Sequence, residues 1–202
     1  MPRDKTDAHK RVLAAARDEF MEYGFEKASM RRVGERCGMT AAGIYRHCRD
    51  KADLFAELVK PSAEKVYQWL EAHIDRSAAS METGSFDLRS DSAAQMMRQL
   101  IYPNMDEYRL LLTKAQGTEY ESFLRDLTEK YKARMLDSIP MLREKGLAVR
   151  EIDPQELYIL LSAYTAAMFE PVVQGYSPKQ ALRCLDTLEA FFLPGWKQIM
   201  GL

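Results

Sequence analysis

Cysteine and histidine are scarce in this chain of 202 residues, with three of each. Cys37, Cys48 and Cys184 are odd in number and lack metal-ligand spacing, so they read as reduced thiols rather than a disulfide framework or a zinc site. His9, His47 and His73 are scattered, and metal sensing fits them poorly. No apolar run approaches the roughly 18–20 residues that span a bilayer. The opening MPRDKTDAHKRVL is polar and has no signal-peptide apolar segment, so a cytoplasmic protein with no membrane partner is expected. Also missing are HExxH, a phosphate loop and any nucleophile–base pairing. The chain is therefore expected not to be an enzyme and to need no cofactor.

A dominant charge is lacking too, but the net −1 hides an asymmetry. Residues 1–60 hold 13 Lys/Arg against 10 Asp/Glu, whereas the remainder is acidic by 20 to 16. Between Lys27 and Lys51 stand 7 basic residues, opposed only by Glu35 and Asp50. A basic segment within a neutral chain suits a local polyanion contact, although charge runs are usually solvated faces.

What is present is helical periodicity, with strand alternation nearly absent. Val12, Leu13, Ala16 and Phe20 form one apolar stripe, predicting a helix over about 7–23 that ends at Gly24. Ser29 is a suitable cap for a second helix through Arg36, with Gly38 just past its end. Thr40 caps a third helix anchored by Ile44. Asp50 caps a fourth, which runs past Pro61, a kink site, to Trp69 and Leu70. Residues 76–92 are small and polar and read as a mobile loop. Helices are expected again near 93–102, 107–115 and 119–138, with Pro140 near the end of the last. Asp153-Pro154-Gln155-Glu156 and Ser177-Pro178-Lys179-Gln180 each combine a cap, proline at the first position and Glu or Gln at the third. They start two final helices, about 155–173 and 179–192, with a continuation beyond Pro194 left open.

Two short helices meeting at Cys37-Gly38-Met39-Thr40 have the layout of a helix-turn-helix. Residues 12–55, VLAAARDEFMEYGFEKASMRRVGERCGMTAAGIYRHCRDKADLF, resemble the DNA-binding domain of the TetR family of transcriptional regulators. That family's pattern, ILxAAxxLFxxxGFxxxTxxxIAxxAGVSxGxLYxHFxxKxxLF, aligns in register without a gap. Gly34 and Cys37 replace alanines, Cys48 replaces a phenylalanine and Ala42 replaces a glycine. The resemblance implies an all-α fold of about nine helices. An N-terminal three-helix DNA-binding domain over 1–52 would join a helical ligand-binding and dimerisation domain over 53–202.

The resemblance implies that Tyr45, His47 and Lys51 clamp the DNA backbone and that Ser29 touches phosphate, whereas the bland reading of Ser29 is capping alone. Thr40 is expected to cap the third helix while facing the groove. Base reading falls to Ala41, Gly43 and Arg46, with Arg31 or Arg32 on the second helix. The implied partners are double-stranded DNA with a palindromic operator, a small-molecule effector and a second copy of the chain. For the interface, the small and apolar residues Ser162, Ala163, Ala166, Leu185, Leu188 and Phe192 are favoured over a simple core role. A pocket for a small hydrophobic or aromatic effector would draw on Tyr67, Met97, Tyr102, Tyr108, Phe123, Tyr164 and Met168, although any one of them is more often plain core. Glu170 is the acid to test against a cationic ligand. A thiol switch through Cys37 and Cys48 is weighed against two small buried thiols, and the latter is favoured. The leading expectation is a ligand-released repressor; the alternative is a helical small-molecule binding or adaptor protein with vestigial DNA affinity.

Overall fold

Two glycines in the left-handed region punctuate the first helices. Gly24 (φ 74°, ψ 166°) breaks α1, Lys5–Lys27, before its last turn, and Gly38 (φ 70°) ends α2, Met30–Cys37. Both conformations are strained for residues carrying a Cβ, so the chain turns where sequence placed its stops. The structure, a computed structural model, describes residues 5–82 and 93–200.

Every regular element among the described residues is helical: α3 Ala41–Ile44, α4 Lys51–Glu82, α5 Ala93–Met96, α6 Met105–Thr113, α7 Phe123–Glu144, α8 Pro154–Val173 and α9 Pro178–Met200 complete the set. A π turn, Met97–Ile101, and a 3-10 turn, Tyr102–Asn104, follow α5.

The caps read at Asp50, Asp153 and Ser177 form. Asp50 Oδ1 accepts the Asp53 N–H at 2.8 Å, and Asp153 Oδ1 accepts the Gln155 N–H at 2.7 Å. Ser177 and Gln180 make a reciprocal capping box at the start of α9. Ser29 corrects the expectation: it stands in extended backbone before α2, but its hydroxyl caps nothing.

Three helices run further than expected. α4 continues unbroken through Pro61 to Glu82, so residues 76–82 are helix rather than loop; the rest of the expected loop, 83–92, lies outside the described residues. α7 passes through Pro140 and α9 through Pro194. α8 is also long and apolar enough to cross a membrane by length and composition, contrary to the expectation that no such run exists. Its composition has a local cause. Leu157, Leu161, Met168, Phe169 and Val172 are buried on one face, while Ile159 and Leu160 lie exposed on another.

The chain divides into two compact units, Met1–Glu64 with Met105–Glu121, and Lys65–Asn104 with Ser122–Leu202. In the first, Phe20 is fully buried, edge-on to Phe55 at 5.1 Å. α6 belongs to this unit: Phe25 N donates to the Lys114 carbonyl at 3.0 Å, and Arg17 pairs with Glu107 at 2.8 Å. In the second, α7, α8 and α9 pack around Phe123, Leu127, Leu161, Phe169 and Leu185.

Candidate nucleic-acid interface

The turn between α2 and α3 closes through the backbone, with Met39 N donating to the Gly34 carbonyl at 2.8 Å. A Cβ at position 34 would stand 2.6 Å from the Met39 carbonyl oxygen, so Gly34 permits this approach. Thr40 Oγ1 accepts the Gly43 N–H at 3.1 Å and starts α3. Fully buried Ile44 pins that single helical turn, and His47 N returns to the Ile44 carbonyl at 2.8 Å.

This framework leaves one face open. Tyr45 is 51% exposed. Arg46 is exposed, and its guanidinium makes no hydrogen bond or ion pair among the described residues. Thr40 is exposed, while Ala41, Gly43 and His47 are half-buried beside them. On α2, Arg31 is largely solvated and pairs only with Glu35, 2.9 Å away. The structure thus brings Thr40, Ala41, Gly43, Tyr45, Arg46 and His47 together on one short segment.

Three other expected DNA residues have partners within the protein. Arg32 binds Glu19 at 2.6 Å, donates to the Lys27 carbonyl at 2.7 Å and lies 4.3 Å from the centre of the Tyr23 ring. Lys51 Nζ donates to the carbonyls of Phe25, Glu26 and Ala28 at 2.7, 3.1 and 3.3 Å. Its three protons therefore satisfy carbonyls at the end of α1 and in the short connection to α2. Ser29 donates its N–H to Glu19 Oε1 at 2.9 Å.

Glu19 is the residue that sequence reasoning missed. It is wholly buried, accepts from Ser29 and Arg32, and meets Arg36 at 3.3 Å. A buried carboxylate needs such partners, and these tie α2 to α1. Its signal was available: the family pattern has leucine where Glu19 stands, and Arg32 and Arg36 follow one turn apart. Arg36 also pairs with Glu22, whose carboxyl is held low by hydrogen bonds from Tyr23 and Arg36.

In the second unit the aromatic residues form a chain of rings. Tyr67 lies 5.6 Å from Phe123, and Phe123 lies 6.4 Å from Phe169. Met97 and Met168 are buried, and the Tyr102 hydroxyl donates to the Tyr176 carbonyl at 3.0 Å. Tyr164 packs edge-on to Phe192; burial pushes its phenol up, reinforced by Tyr131 and Glu189. Burial alone pushes Tyr131 up to about 12.

Two expected ligand residues stand elsewhere. Tyr108 lies in the first unit, fully buried, donating to the Ser62 carbonyl at 3.1 Å; burial pushes its phenol up too. Glu170 is exposed and accepts from Gln174 at 2.6 Å.

Of the expected interface residues, Ala163 and Ala166 are exposed and Ser162, Leu188 and Phe192 half-buried, but Leu185 is core. The most exposed large apolar groups of this unit, Phe191 (77%) and Ile159 (66%), were not singled out by sequence. A groove of about 310 Å³ runs beside Ile159, lined also by Ile152, Leu160 and Ile199.

A supporting helix, a closed turn and a second helix with an unpaired exposed arginine define a helix-turn-helix DNA-binding protein. Residues 12–58 match the model of bacterial regulatory proteins, tetR family. The HTH-type transcriptional repressor Rv1474c of Mycobacterium tuberculosis is 39% identical over 57 residues, covering 28% of this chain and only 30% of that protein. The HTH-type transcriptional repressor AcnR of Corynebacterium efficiens is 33% identical over 189 residues, covering 91% of each. The chain belongs to the TetR family, whose members are transcriptional regulators rather than enzymes. The fold agrees. SmeT, the repressor of the Stenotrophomonas maltophilia multidrug efflux pump SmeDEF, superposes with a TM-score of 0.58 at 19% identity, over 90% of this chain and 88% of its own.

Proposed function

We propose that this protein is a ligand-responsive repressor of the cytoplasm that binds a palindromic operator as a homodimer and is released by a small hydrophobic or aromatic effector. The observation that carries the DNA reading is the open face of Tyr45 and Arg46, an aromatic hydroxyl and a free guanidinium at the end of α3. An arginine without an internal partner can bridge guanine O6 and N7, whereas Tyr45 and His47 suit phosphate oxygens. Ser29, Lys51 and Arg32 act first on the protein itself, so their share in DNA contact is indirect, through the placement of α2 and α3. On α2, Arg31 is the most solvated arginine and is held by the surface acid Glu35 alone, an exposed partner that a phosphate can replace.

One α3 reads too few base pairs to mark a site in a genome, so a two-fold partner is needed. The apolar face of α8 and α9, with Ile159, Ala163, Ala166 and Phe191, supports that partner being a second copy. DNA binding is assigned to residues 1–52, and effector binding and dimerisation to 53–202. The effector site lies among Tyr67, Phe123, Phe169 and Met168. α4 runs from the DNA-binding segment into the second unit, and this continuous helix is the route by which an effector that prefers the low-affinity arrangement lowers operator affinity.

Selection of genomic fragments by the purified protein, followed by a salt series, tests the reading. One palindromic site bound several decades more tightly than random DNA supports it. Diffuse, steeply salt-dependent binding alone overturns it in favour of a carrier or adaptor with vestigial DNA affinity.

A further inference from the structure

Three elements of the first unit bring two imidazoles and a carboxylate into one chain. His9 on α1 places Nε2 2.6 Å from Glu57 Oε1 on α4. The His9 ring lies 5.8 Å from that of His47, centre to centre, at a tilt of 31°. A carboxylate oxygen only accepts, so Nε2 of His9 holds a hydrogen and its ring is anchored to α4. His47 follows Arg46 in the turn after α3, and its ring nitrogens make no hydrogen bond among the described residues. The His9 ring is the aromatic neighbour of the His47 ring, and it stands on the side where Glu57 anchors it.

We propose that His9, anchored by Glu57, is a positioning residue for His47: it holds the His47 imidazole in the orientation that meets a DNA phosphate. The inference rests on the operator-binding reading above. Without His9 the His47 side chain must be ordered by DNA binding itself, and ordering one mobile side chain costs about three- to tenfold in affinity. Glu57 acts one step further back, and its neutral amide isostere holds His9 less firmly.

The test measures operator affinity against salt for full-length wild type, H9A, E57Q, H47A and the double variant H9A/H47A, with urea unfolding of each. His9 removal is expected to weaken operator binding about three- to tenfold. The salt slope should stay near that of wild type, because the phosphate contact still forms once His47 is ordered. H47A should weaken binding at least as much, and H9A should add nothing in the H47A background. A merely structural role for His9 gives losses that add to those of H47A, which overturns the proposal. E57Q preserves the size of the side chain and is expected to reproduce part of the H9A loss; if H9A unfolds, full affinity in a folded E57Q overturns it. An H9A protein as tight as wild type, beside a weakened H47A, overturns the positioning role while leaving the regulator reading intact. Wild-type protein without any preferred site overturns both.

Discussion

Glu19 Oε1 lies 2.6 Å from Nη2 of Arg32, with the carboxylate wholly buried and the guanidinium side chain 38% exposed. The pair is asymmetric: the acid bears the desolvation and the base keeps water. Removing the acid therefore leaves no charge stranded inside, since Arg32 can hydrate, but it deprives Ser29 N–H of its acceptor. Glu19→Ala should destabilise the protein by about 1–3 kcal/mol, the cost of one unsatisfied donor and a cavity. Glu19→Leu, the family residue, refills the space with apolar atoms but still leaves the Ser29 N–H without its acceptor, so it should lose less than the alanine variant by the cavity cost alone. Urea midpoints at constant m-value decide it. If the leucine variant is no better than the alanine variant, the ion-pair network stabilises more than it costs.

Arg46 and Arg32 should separate under substitution. Arg46→Ala removes a free, exposed guanidinium, and discrimination at one base pair per half-site should relax by about 1–3 kcal/mol. Arg32→Ala should instead lower folding stability and leave the preferred sequence unchanged, since Arg32 serves Glu19 and the Lys27 carbonyl. Competition binding with single-base operator variants measures both. Equal weakening of all sequences by Arg46→Ala would make Arg46 a backbone contact.

Local signals made the helix-turn-helix legible: glycine stops, caps at Thr40 and Asp50, and a short basic segment. The glycine stops and caps act within four residues, where sequence spacing and spatial distance coincide. The longer helices were less legible because proline reads as a stop, yet α7 and α9 run through Pro140 and Pro194. Long-range pairing was the least legible. Glu19 meets Arg36 across 17 positions, and Lys51 reaches Phe25 across 26. Tyr108 shows the limit of periodicity, since an aromatic stripe reports burial but not which unit buries it.

Gly34→Ala sets two effects against each other. Alanine is the better helix former by about 1 kcal/mol. Its Cβ would meet the Met39 carbonyl oxygen at 2.6 Å, a backbone atom that cannot rotate away. Opening the turn costs about 1–3 kcal/mol, so the variant should melt at a lower temperature and bind operator more weakly. An unchanged or raised Tm would show that the turn relaxes freely.

Burial pushes the Cys48 thiol up, and the negative charges of Asp53, Asp50 and Glu57 reinforce the shift. The thiolate, the reactive form, is therefore depleted at neutral pH and accumulates only above the ordinary cysteine range. Alkylation of Cys48 in the folded protein should be slow at pH 7–8, rise at higher pH, and accelerate at fixed pH in urea. Each thiol faces a carbonyl of its own neighbourhood, Cys37 that of Gly34 and Cys48 that of Ile44. Peroxide should accordingly form no Cys37–Cys48 bond; mass spectrometry showing one would restore the thiol switch.

Ile159 and Phe191 test the dimer. Both are more than half exposed, on helices whose other residues supply buried core such as Leu161 and Leu185. Covering a large apolar side chain is worth about 1.5–3 kcal/mol. A charge in its place must be desolvated on association, which costs several kcal/mol more. Ile159→Glu should therefore shift sedimentation from dimer to monomer at micromolar protein, with little change in the urea midpoint of the monomer because position 159 is outside the core. Operator affinity should fall with the dimer, since a lone α3 reads one half-site. A variant that remains dimeric moves the interface off this face of α8; one that becomes monomeric yet holds the full operator undiminished removes the need for a two-fold partner.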